Sequence, residues 1–396
     1  MSALEIIFWI IAFGIVYTYL GYGLVLYLMV RIKRLFIKRV IPELSDDELP
    51  EITLLVAAYN EYDYVDEKMQ NTLAMNYPAQ KLHLMWVTDG SDDGTPELIR
   101  ERYPQVEVLH QPERRGKIAA MNRAVKFVKT PIIVFSDANT VIGTDSLRRI
   151  AALFSKPDVG CVSGEKRILN EEKAAASSAG EGIYWKYEST LKRWDAELYS
   201  AVGAAGELFA VRTELFNEVE PDTLLDDFII SLRIAMKGYR IEYDPDAYAA
   251  EWASASIAEE LKRKIRIAAG GIQSVVRLYP LLNIFKYGIL SFQYISHRVL
   301  RWAVTPFLLP LALIINILLA PDSILYSIML ILQGLFYLGG FVGQQLEHRK
   351  LKVKIFFIPY YFLFMNYAVF LGFFRYLRNQ QSVNWERARR MEQKKH

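Results

Sequence analysis

Long apolar segments lie at both ends of the chain and enclose a more polar middle. The first, residues 4–30, carries one charged residue, Glu5, and exceeds the ~20 helical residues needed to cross a hydrocarbon core. Three more runs follow at 299–320, 323–344 and 355–376. Because lipid cannot satisfy exposed backbone polar groups, these segments are predicted to be transmembrane helices. The alternative of a cleaved signal peptide at 4–30 is disfavoured, since its apolar run is too long.

Basic residues suggest how these helices are oriented. Five of them follow the first segment directly: Arg31, Lys33, Arg34, Lys38 and Arg39. By the positive-inside rule, the domain after them is predicted to be cytoplasmic. Three C-terminal crossings would then place the basic tail outside. Either the last segment, with Pro359 and Asn366, is re-entrant or interfacial, or the tail departs from the rule, and we favour a cytoplasmic tail.

The composition excludes several functional classes. The chain has 396 residues, with 47 lysines and arginines, 44 acidic residues and one cysteine, Cys161. A single cysteine excludes an intramolecular disulfide and a multi-cysteine metal site. The near balance of charge argues against a nucleic-acid partner, which would call for a strong basic excess.

The middle of the chain alternates short β-rich apolar runs with charged helical patterns. The predicted strands are 52–57, 82–87, 106–109, 132–135 and 159–163, and the predicted helices are 67–74, 96–102 and 117–128. This alternation predicts an α/β fold with a mixed, mostly parallel sheet, with ligand groups at the carboxyl ends of the strands. The predicted organisation is an N-terminal transmembrane helix (1–30), a charged linker (31–49), the α/β domain (50–250), amphipathic interfacial helices (251–298), about three membrane segments (299–376) and a basic tail (377–396).

Polar residues follow the first two predicted strands. Tyr59, Asn60 and Glu61 come after Ala57 at the end of the first strand, and Asp89 follows the second. A carboxylate such as Asp89 can accept hydrogen bonds from a base or a ribose, so this acid fits a nucleotide site. The simpler alternative is a pair of turns with helix caps, where Asn and Asp are common.

Two further blocks suggest a site for a charged ligand. Arg115 and Lys117 stand where a predicted helix begins, and cations there are unfavourable unless an anion is bound, so a diphosphate would explain them. The alternative is a solvated run of charges. Asp137 and Asn139 follow the fourth strand at a spacing that predicts two oxygen donors on one side, as Mg²⁺ or Mn²⁺ would require.

Adjacent acids, Asp226 and Asp227, precede another helix pattern. They complement the helix dipole, or one of them acts as a general base toward a hydroxyl. Upstream, Gly206 and Glu207 lie in a segment of small residues. Such a segment lets a sugar or a backbone approach closely, and a flexible turn is the alternative.

In this order, the blocks resemble the family 2 glycosyltransferases of GT-A fold, particularly the membrane-embedded group with cellulose, hyaluronan and poly-N-acetylglucosamine synthases. The resemblance extends over about residues 51–302 and the flanking membrane segments. It implies that the first strand-end block and Asp89 hold uridine and that Arg115 and Lys117 lie near the nucleotide. Asp137 and Asn139 match the DxD motif for Mg²⁺ or Mn²⁺ and the diphosphate, with Asn in place of the second acid.

The resemblance also implies where acceptor chemistry occurs. Leu225-Asp226-Asp227 matches the Thr-Glu-Asp motif, whose last residue deprotonates the acceptor hydroxyl. Asp227 is therefore the predicted catalytic residue. Asp226, Gly206 and Glu207 are predicted to line the acceptor site.

The Gln-x-x-Arg-Trp motif of the family has two candidate matches. In 263–270, Arg266 matches but Arg263 and Ile267 replace Gln and Trp, and the position after the base favours this match. Arg266 is then expected near the leaving diphosphate. The other match contains Arg301 and Trp302, which would bind the acceptor or, more simply, anchor the chain at the membrane interface.

The resemblance implies a hexosyltransferase that moves a sugar from a UDP-sugar to a growing polysaccharide, with inversion. We expect it in the cell membrane, of the bacterial inner-membrane type, with its catalytic domain in the cytoplasm. The alternatives are transfer of one sugar to a lipid carrier or glycolipid, and an inactive membrane scaffold that binds nucleotide. Three C-terminal segments are few for a channel, so export would need a second copy of the chain or a partner protein.

Overall fold

The computed structural model describes residues 1–169, 178–252, 256–349 and 353–378. The described residues divide into two compact units, which we call the helical unit (1–31, 178–191, 260–349 and 353–378) and the sheet unit (32–169, 192–252 and 256–259). Of the predicted basic tail, residues 379–396 lie outside the described residues, so the predicted side of the membrane for that tail stays a prediction.

The sheet unit is built on one mixed sheet. Its strands are β1 (Ile52–Ala58), β2 (Leu82–Asp89), β3 (Glu107–Gln111), β4 (Ile132–Asp137), β5 (Val141–Ile142), β6 (Val159–Leu169), β7 (Leu208–Arg212) and β8 (Arg240–Trp252). They lie in the order β3-β2-β1-β4-β7-β6-β8-β5. The pairs among β1 to β4 and the pair β6–β8 are parallel, whereas β7 is antiparallel to β4 and β6, and β5 to β8. The predicted mixed, mostly parallel sheet is confirmed.

Helices follow most strands and make up the helical unit. In chain order they are α1 (Ala3–Val16), α2 (Tyr22–Phe36), α3 (Tyr62–Leu73), α4 (Thr95–Arg102), α5 (Lys117–Val125), α6 (Ser146–Leu153), α7 (Ser178–Leu198), α8 (Asp226–Met236), α9 (Ile257–Arg277), α10 (Ile284–Tyr287), α11 (Ile289–Tyr294), α12 (Thr305–Leu319), α13 (Ile324–His348) and α14 (Lys354–Leu377). Two π-helical stretches, Tyr17–Gly21 and Ile295–Val304, continue α1 into α2 and α11 into α12.

The core of the sheet unit follows from the position of β1 between β2 and β4. All seven residues of β1 are buried, because helices cover both faces of a parallel sheet. Leu54 and Val56 pack in a cluster with Trp86, Val134 and Val162. The five predicted strands are present with shifted ends, and the largest extension carries β6 on to Leu169. The short strands β5 and β7, the strand β8 and the helices α6 and α7 were not predicted.

Four helices within the described ranges are long and apolar enough to cross a membrane: Ala3–Phe36, Ile289–Asp322, Ile324–Glu347 and Ile355–Leu377. They coincide with the four predicted segments. The second begins at Ile289 instead of residue 299, because the π-helical stretch keeps the backbone helical through polar residues. The predicted boundary between interfacial helices and membrane segments therefore falls inside this helix.

At Gly203, the segment before β7 packs closely against α8. Its φ is +90°, and a Cβ there would lie 2.2 Å from the Phe228 ring. We expect Gly203→Ala to lower the unfolding midpoint of the purified protein, with a loss of about 2–4 kcal/mol from backbone strain and overpacking. Gly238→Ala is the matched control, since its φ is +96° with nothing within 4 Å of an added Cβ. Equal midpoints for the two variants would contradict the packing argument.

Candidate functional site

The loops after β1 and β2 are tied to each other. Asn60, with a φ of 53°, donates from Nδ2 to Asp92 Oδ1 over 2.8 Å and accepts from the Asp92 backbone N over 3.0 Å. The Asn60 backbone N donates to Ser91, and the Glu61 backbone N donates to Thr95. Asn60 and Glu61, both predicted site residues, therefore lie at the carboxyl edge of the sheet. In this structure the Asn60 amide orders the two loops, and its predicted contact with the nucleotide stays a prediction.

Asp89 shapes the basic segment before α5. Its Oδ2 accepts hydrogen bonds from the backbone N of Arg115, at 2.8 Å, and of Gly116, at 2.6 Å. Its Oδ1 is buried and has no hydrogen-bond partner among the described residues, with Arg123 Nη1 at 3.9 Å. A buried carboxylate oxygen without a donor is costly. Asp89 can therefore accept a further N–H or O–H from a ligand.

A cleft opens between the ends of β1 and β2 and the start of α5. The residues that line it are Ala57, Ala58, Tyr59, Asp89, Arg114, Gly116, Lys117 and Ala120. The Arg114 guanidinium lies 3.6 Å from the centre of the Tyr59 ring. Arg115, the predicted nucleotide contact, instead directs its side chain to Glu113 at 2.7 Å and is largely exposed. The basic block predicted from the sequence thus lies at the cleft edge, where its contact with a nucleotide stays a prediction, and Arg114 was not singled out from the sequence.

Lys117 connects the cleft to the acidic residues. Its Nζ lies 2.7 Å from Asp137 Oδ1 and 3.9 Å from Asp226 Oδ2. Burial by itself would lower the pKa of Lys117, but the carboxylates of Asp137 and Asp226 outweigh burial and raise it. The structure therefore brings together three of the predicted site residues, with the ammonium charged.

The turn after β4 carries the two predicted metal ligands. β4 ends at Asp137, and Asn139 lies in the turn that follows, so strand alternation does not reach Asn139. Asn139 Oδ1 is nevertheless buried without a hydrogen-bond partner in the described part of the chain, as is Asp226 Oδ2. No group of three or more His, Cys, Asp or Glu residues within the described ranges could hold a metal ion. The unpartnered Asn139 oxygen and the Asp137 carboxylate are of the type that a hard cation takes when a phosphate and water supply its remaining oxygens, and their role as metal ligands stays a prediction.

Lys68, on α3, lies beneath this turn. Its Nζ donates to Ser136 Oγ at 2.8 Å and to Thr140 O at 2.9 Å, and the residue is 1% exposed. Burial lowers the pKa of Lys68 to about 7, and the Asp137 carboxylate opposes that shift. Lys68 thereby ties α3 to the ends of the turn. Sequence reasoning missed it because a lysine in a helix pattern looks like a solvated residue.

Asp227 opens α8 in the company of other acids. Gly206 comes so close that a Cβ there would lie 3.3 Å from Asp227 Oδ2. Burial, followed by the charges of Asp226 and Glu207, raises the pKa of Asp227 to about 7, and the Lys117 charge opposes the shift. A carboxyl group with such a pKa can exchange a proton at neutral pH. The four residues predicted for acceptor chemistry in this unit thus lie together.

A buried ion-pair network supports Glu207. Lys166, on β6, pairs with both Glu207 and Glu251, which lies on β8. Lys166 and Glu251 are each less than a tenth exposed. Since β6 and β8 are neighbouring strands, the sheet sets the position of Lys166 and so of Glu207. Neither Lys166 nor Glu251 was identified from the sequence, because only the strand pairing brings them together.

The other three predicted site residues belong to the helical unit. Arg266 lies on α9, and Arg301 and Trp302 lie in the π-helical stretch. Arg301 pairs with Glu188, a buried acid on α7 that also lies 3.2 Å from His297 Nε2. Trp302 packs on α9 so closely that a Cβ at Gly271 would lie 2.7 Å from its ring. These contacts give Arg301 and Trp302 a packing role in their own unit, and their role with an acceptor stays a prediction.

Comparison with known proteins identifies the family. The sequence model of the glycosyltransferase like family 2 matches residues 50–270. The chain belongs to this family. This family 2 member is 30% identical over 247 residues to the poly-beta-1,6-N-acetyl-D-glucosamine synthase of Staphylococcus aureus, covering 60% of the chain and 58% of that protein. It is 27% identical over 236 residues to the Staphylococcus epidermidis synthase, covering 57% and 56%. The chain therefore matches less than two thirds of the length of these relatives.

Among solved structures, the family 2 fold is shared with a mannosyltransferase of Pyrobaculum calidifontis in complex with GDP-Man and Mn²⁺. The TM-score is 0.73 at 22% identity, covering 96% of this chain and 100% of that chain. At this identity, the comparison shows the fold. The predicted resemblance and the GT-A-like fold class are both confirmed.

Proposed function

We propose that the chain transfers a sugar from a nucleoside diphosphate sugar to a hydroxyl group of a polysaccharide acceptor. One observation carries this proposal: a candidate base and a candidate diphosphate site share one acidic cluster. Lys117 bridges Asp137 and Asp226, and the chain neighbour of Asp226 is Asp227, whose pKa of about 7 suits a general base. The cleft beside Asp89 supplies the adjoining place for the nucleotide.

In the proposed mechanism, Asp227 accepts the proton of the acceptor hydroxyl as its oxygen attacks the anomeric carbon, which gives inversion in a single displacement. Lys117 and the backbone N–H groups at the start of α5 orient the diphosphate. Asp137 and Asn139 would hold Mg²⁺ or Mn²⁺, which neutralises charge on the leaving diphosphate when bound. Glu207, positioned by Lys166, lies where it can contact the acceptor.

The donor is proposed to be a UDP-sugar, with N-acetylglucosamine as the first sugar to test. The name of the Staphylococcus relatives supports this choice. GDP-mannose is the matched comparison, because it is the ligand of the structural neighbour. We further propose that the sheet unit faces the cytoplasm, as the basic residues after the first membrane helix indicate.

The test is release of the nucleoside diphosphate by detergent-purified protein across a panel of UDP- and GDP-sugars with Mg²⁺ or Mn²⁺. Sizing of the product follows. A long polymer from one donor supports a polysaccharide synthase. Export of that polymer would need a second copy of the chain or a partner protein. A single added sugar would move the proposal to a lipid glycosyltransferase. Tight nucleotide binding without turnover would overturn it in favour of a scaffold.

The pKa of Asp227 predicts the pH dependence of transfer. A base must be deprotonated to act, so kcat/KM should rise about tenfold per pH unit below about pH 7 and level off above it. Glu207→Gln removes one negative neighbour, which lowers the pKa of Asp227 and moves the midpoint to lower pH. The measurement is kcat/KM between about pH 5.5 and 8.5 for both proteins. A flat profile across this range would contradict a pKa of about 7 for the catalytic base.

A further inference from the structure

Lys117 lies against one of the two carboxylate oxygens of Asp137, a proposed metal ligand. Its Nζ is 2.7 Å from Asp137 Oδ1, and Asp137 is the single carboxylate in the predicted metal pair. Their side chains are 17% and 11% exposed, so solvent screens the ion pair only in part. An ammonium on one oxygen of a carboxylate and a divalent cation on the same group lie within a few ångströms of each other and repel, so each weakens the binding of the other.

The backbone that carries Lys117 is held in place independently of this ion pair. Gly116, with a φ of 94°, donates its backbone N–H to Asp89 Oδ2, and α5 begins at the next residue. The attachment point of the lysine is therefore set, while its four-carbon stem can rotate. Lys117 also lines the cleft beside Asp89, where the diphosphate of a donor is proposed to bind.

The second acid of the metal pair is absent from this sequence. Asn139 contributes a neutral oxygen, buried without a hydrogen-bond partner in the described part of the chain. The ligand set thus has a lower charge than two carboxylates would provide, which weakens its hold on a free divalent ion. Competition between the Lys117 ammonium and the cation for Asp137 therefore reduces metal affinity more than it would at a site with two carboxylates.

We infer that Lys117 is a positioning residue that makes divalent cation binding depend on the donor. Without a donor, the ammonium holds Asp137 and takes the place of the cation. When a diphosphate enters the cleft, the ammonium transfers to the phosphate oxygens, and Asp137 becomes available to the cation. This inference rests on the proposed donor and metal sites.

The inference is tested by measuring the affinity of the purified full chain for Mn²⁺ by electron paramagnetic resonance. The measurement is made without nucleotide and with UDP or GDP. We expect the unaltered protein to bind Mn²⁺ at least about tenfold more tightly when the diphosphate is present. In Lys117→Met, Mn²⁺ should bind at least about tenfold more tightly without nucleotide than it does in the unaltered protein. The gain from diphosphate, which still supplies phosphate oxygens to the ion, should be smaller than in the unaltered protein. Lys117→Gln, which keeps a polar side chain, should bind Mn²⁺ as Lys117→Met does. Lys117→Arg, which keeps the charge, should retain the dependence of Mn²⁺ affinity on diphosphate.

Lys126→Met is the matched control, because Lys126 follows α5 and forms an exposed pair with Glu218. It should bind Mn²⁺ as the unaltered protein does. The inference would be overturned if neither Lys117→Met nor Lys117→Gln binds Mn²⁺ more tightly than the unaltered protein does without nucleotide. It would also be overturned if the unaltered protein binds Mn²⁺ equally tightly with and without diphosphate. If the unaltered protein binds Mn²⁺ equally tightly with and without diphosphate, the proposed metal site is still supported and only the inference about Lys117 fails. If the unaltered protein binds no Mn²⁺ even with either diphosphate, the metal site fails and the inference fails with it.

Discussion

Asp227→Asn is expected to reduce the rate of sugar transfer by about 10²–10⁴-fold, the usual contribution of a positioned general base. Asparagine keeps the size and shape of the side chain but cannot accept the hydroxyl proton. The neighbouring acids, Asp226 and Glu207, remain in this variant, and removal of one negative charge relieves their mutual repulsion. The fold is therefore expected to be preserved or stabilised.

The measurement for Asp227→Asn is diphosphate release with donor and acceptor both saturating. Binding of UDP or GDP is measured in parallel and should change by less than about threefold, because Asp227 acts on the acceptor. Asp47→Asn serves as the control, since Asp47 is exposed in a turn before β1. Full transfer activity in purified Asp227→Asn would remove Asp227 from the mechanism.

Asp137→Ala is expected to have the second large effect, a loss of about 10²–10³-fold in transfer together with the loss of Mn²⁺ binding. The substitution removes the charged member of the proposed metal pair and the closest partner of Lys117. The freed ammonium would stay near Asp226, at 3.9 Å in this structure. Donor binding should therefore weaken while the acceptor base remains.

The readouts for Asp137→Ala are transfer rate, Mn²⁺ binding in the presence of diphosphate, and the thermal unfolding midpoint. Asp158→Ala is the matched control, because Asp158 is half exposed and its ion pair with Arg240 lies at the surface. An unfolding midpoint close to that of the control would show that lost activity does not reflect lost structure. Unchanged Mn²⁺ affinity in Asp137→Ala would place the metal elsewhere.

Much of the fold could be predicted because its signals are local. The strands β1, β2 and β4 are runs of apolar residues bounded by polar turns, and the four membrane helices exceed the length of ordinary core helices. The short strand β7 has a run of only four apolar residues, and charged residues and Pro245 interrupt the long strand β8. Pairing in the sheet completes both, β7 with β4 and β6, and β8 with β6.

The candidate site shows the same division. Asp89, Asp137 and Asp227 were identified because acids at the ends of apolar runs stand out in a sequence. Lys68 and Lys166 could not be identified in this way, because each is buried by elements that lie far away along the chain. Arg301 and Trp302 could not be assigned, because their contacts within the helical unit are not visible in a linear motif.

The sequence by itself determined the class of protein: membrane helices at both ends and an α/β domain between them, with the acids of the proposed sugar-transfer site, all encoded by residues adjacent in the chain. Only the tertiary structure decided how those acids are charged. Lys117 neutralises Asp137 across 2.7 Å, whereas Asp227 is buried beside Asp226 and Glu207 and gains a pKa of about 7. Electrostatic energies depend on distance and burial, and both are set when strands and helices from separate parts of the chain pack together.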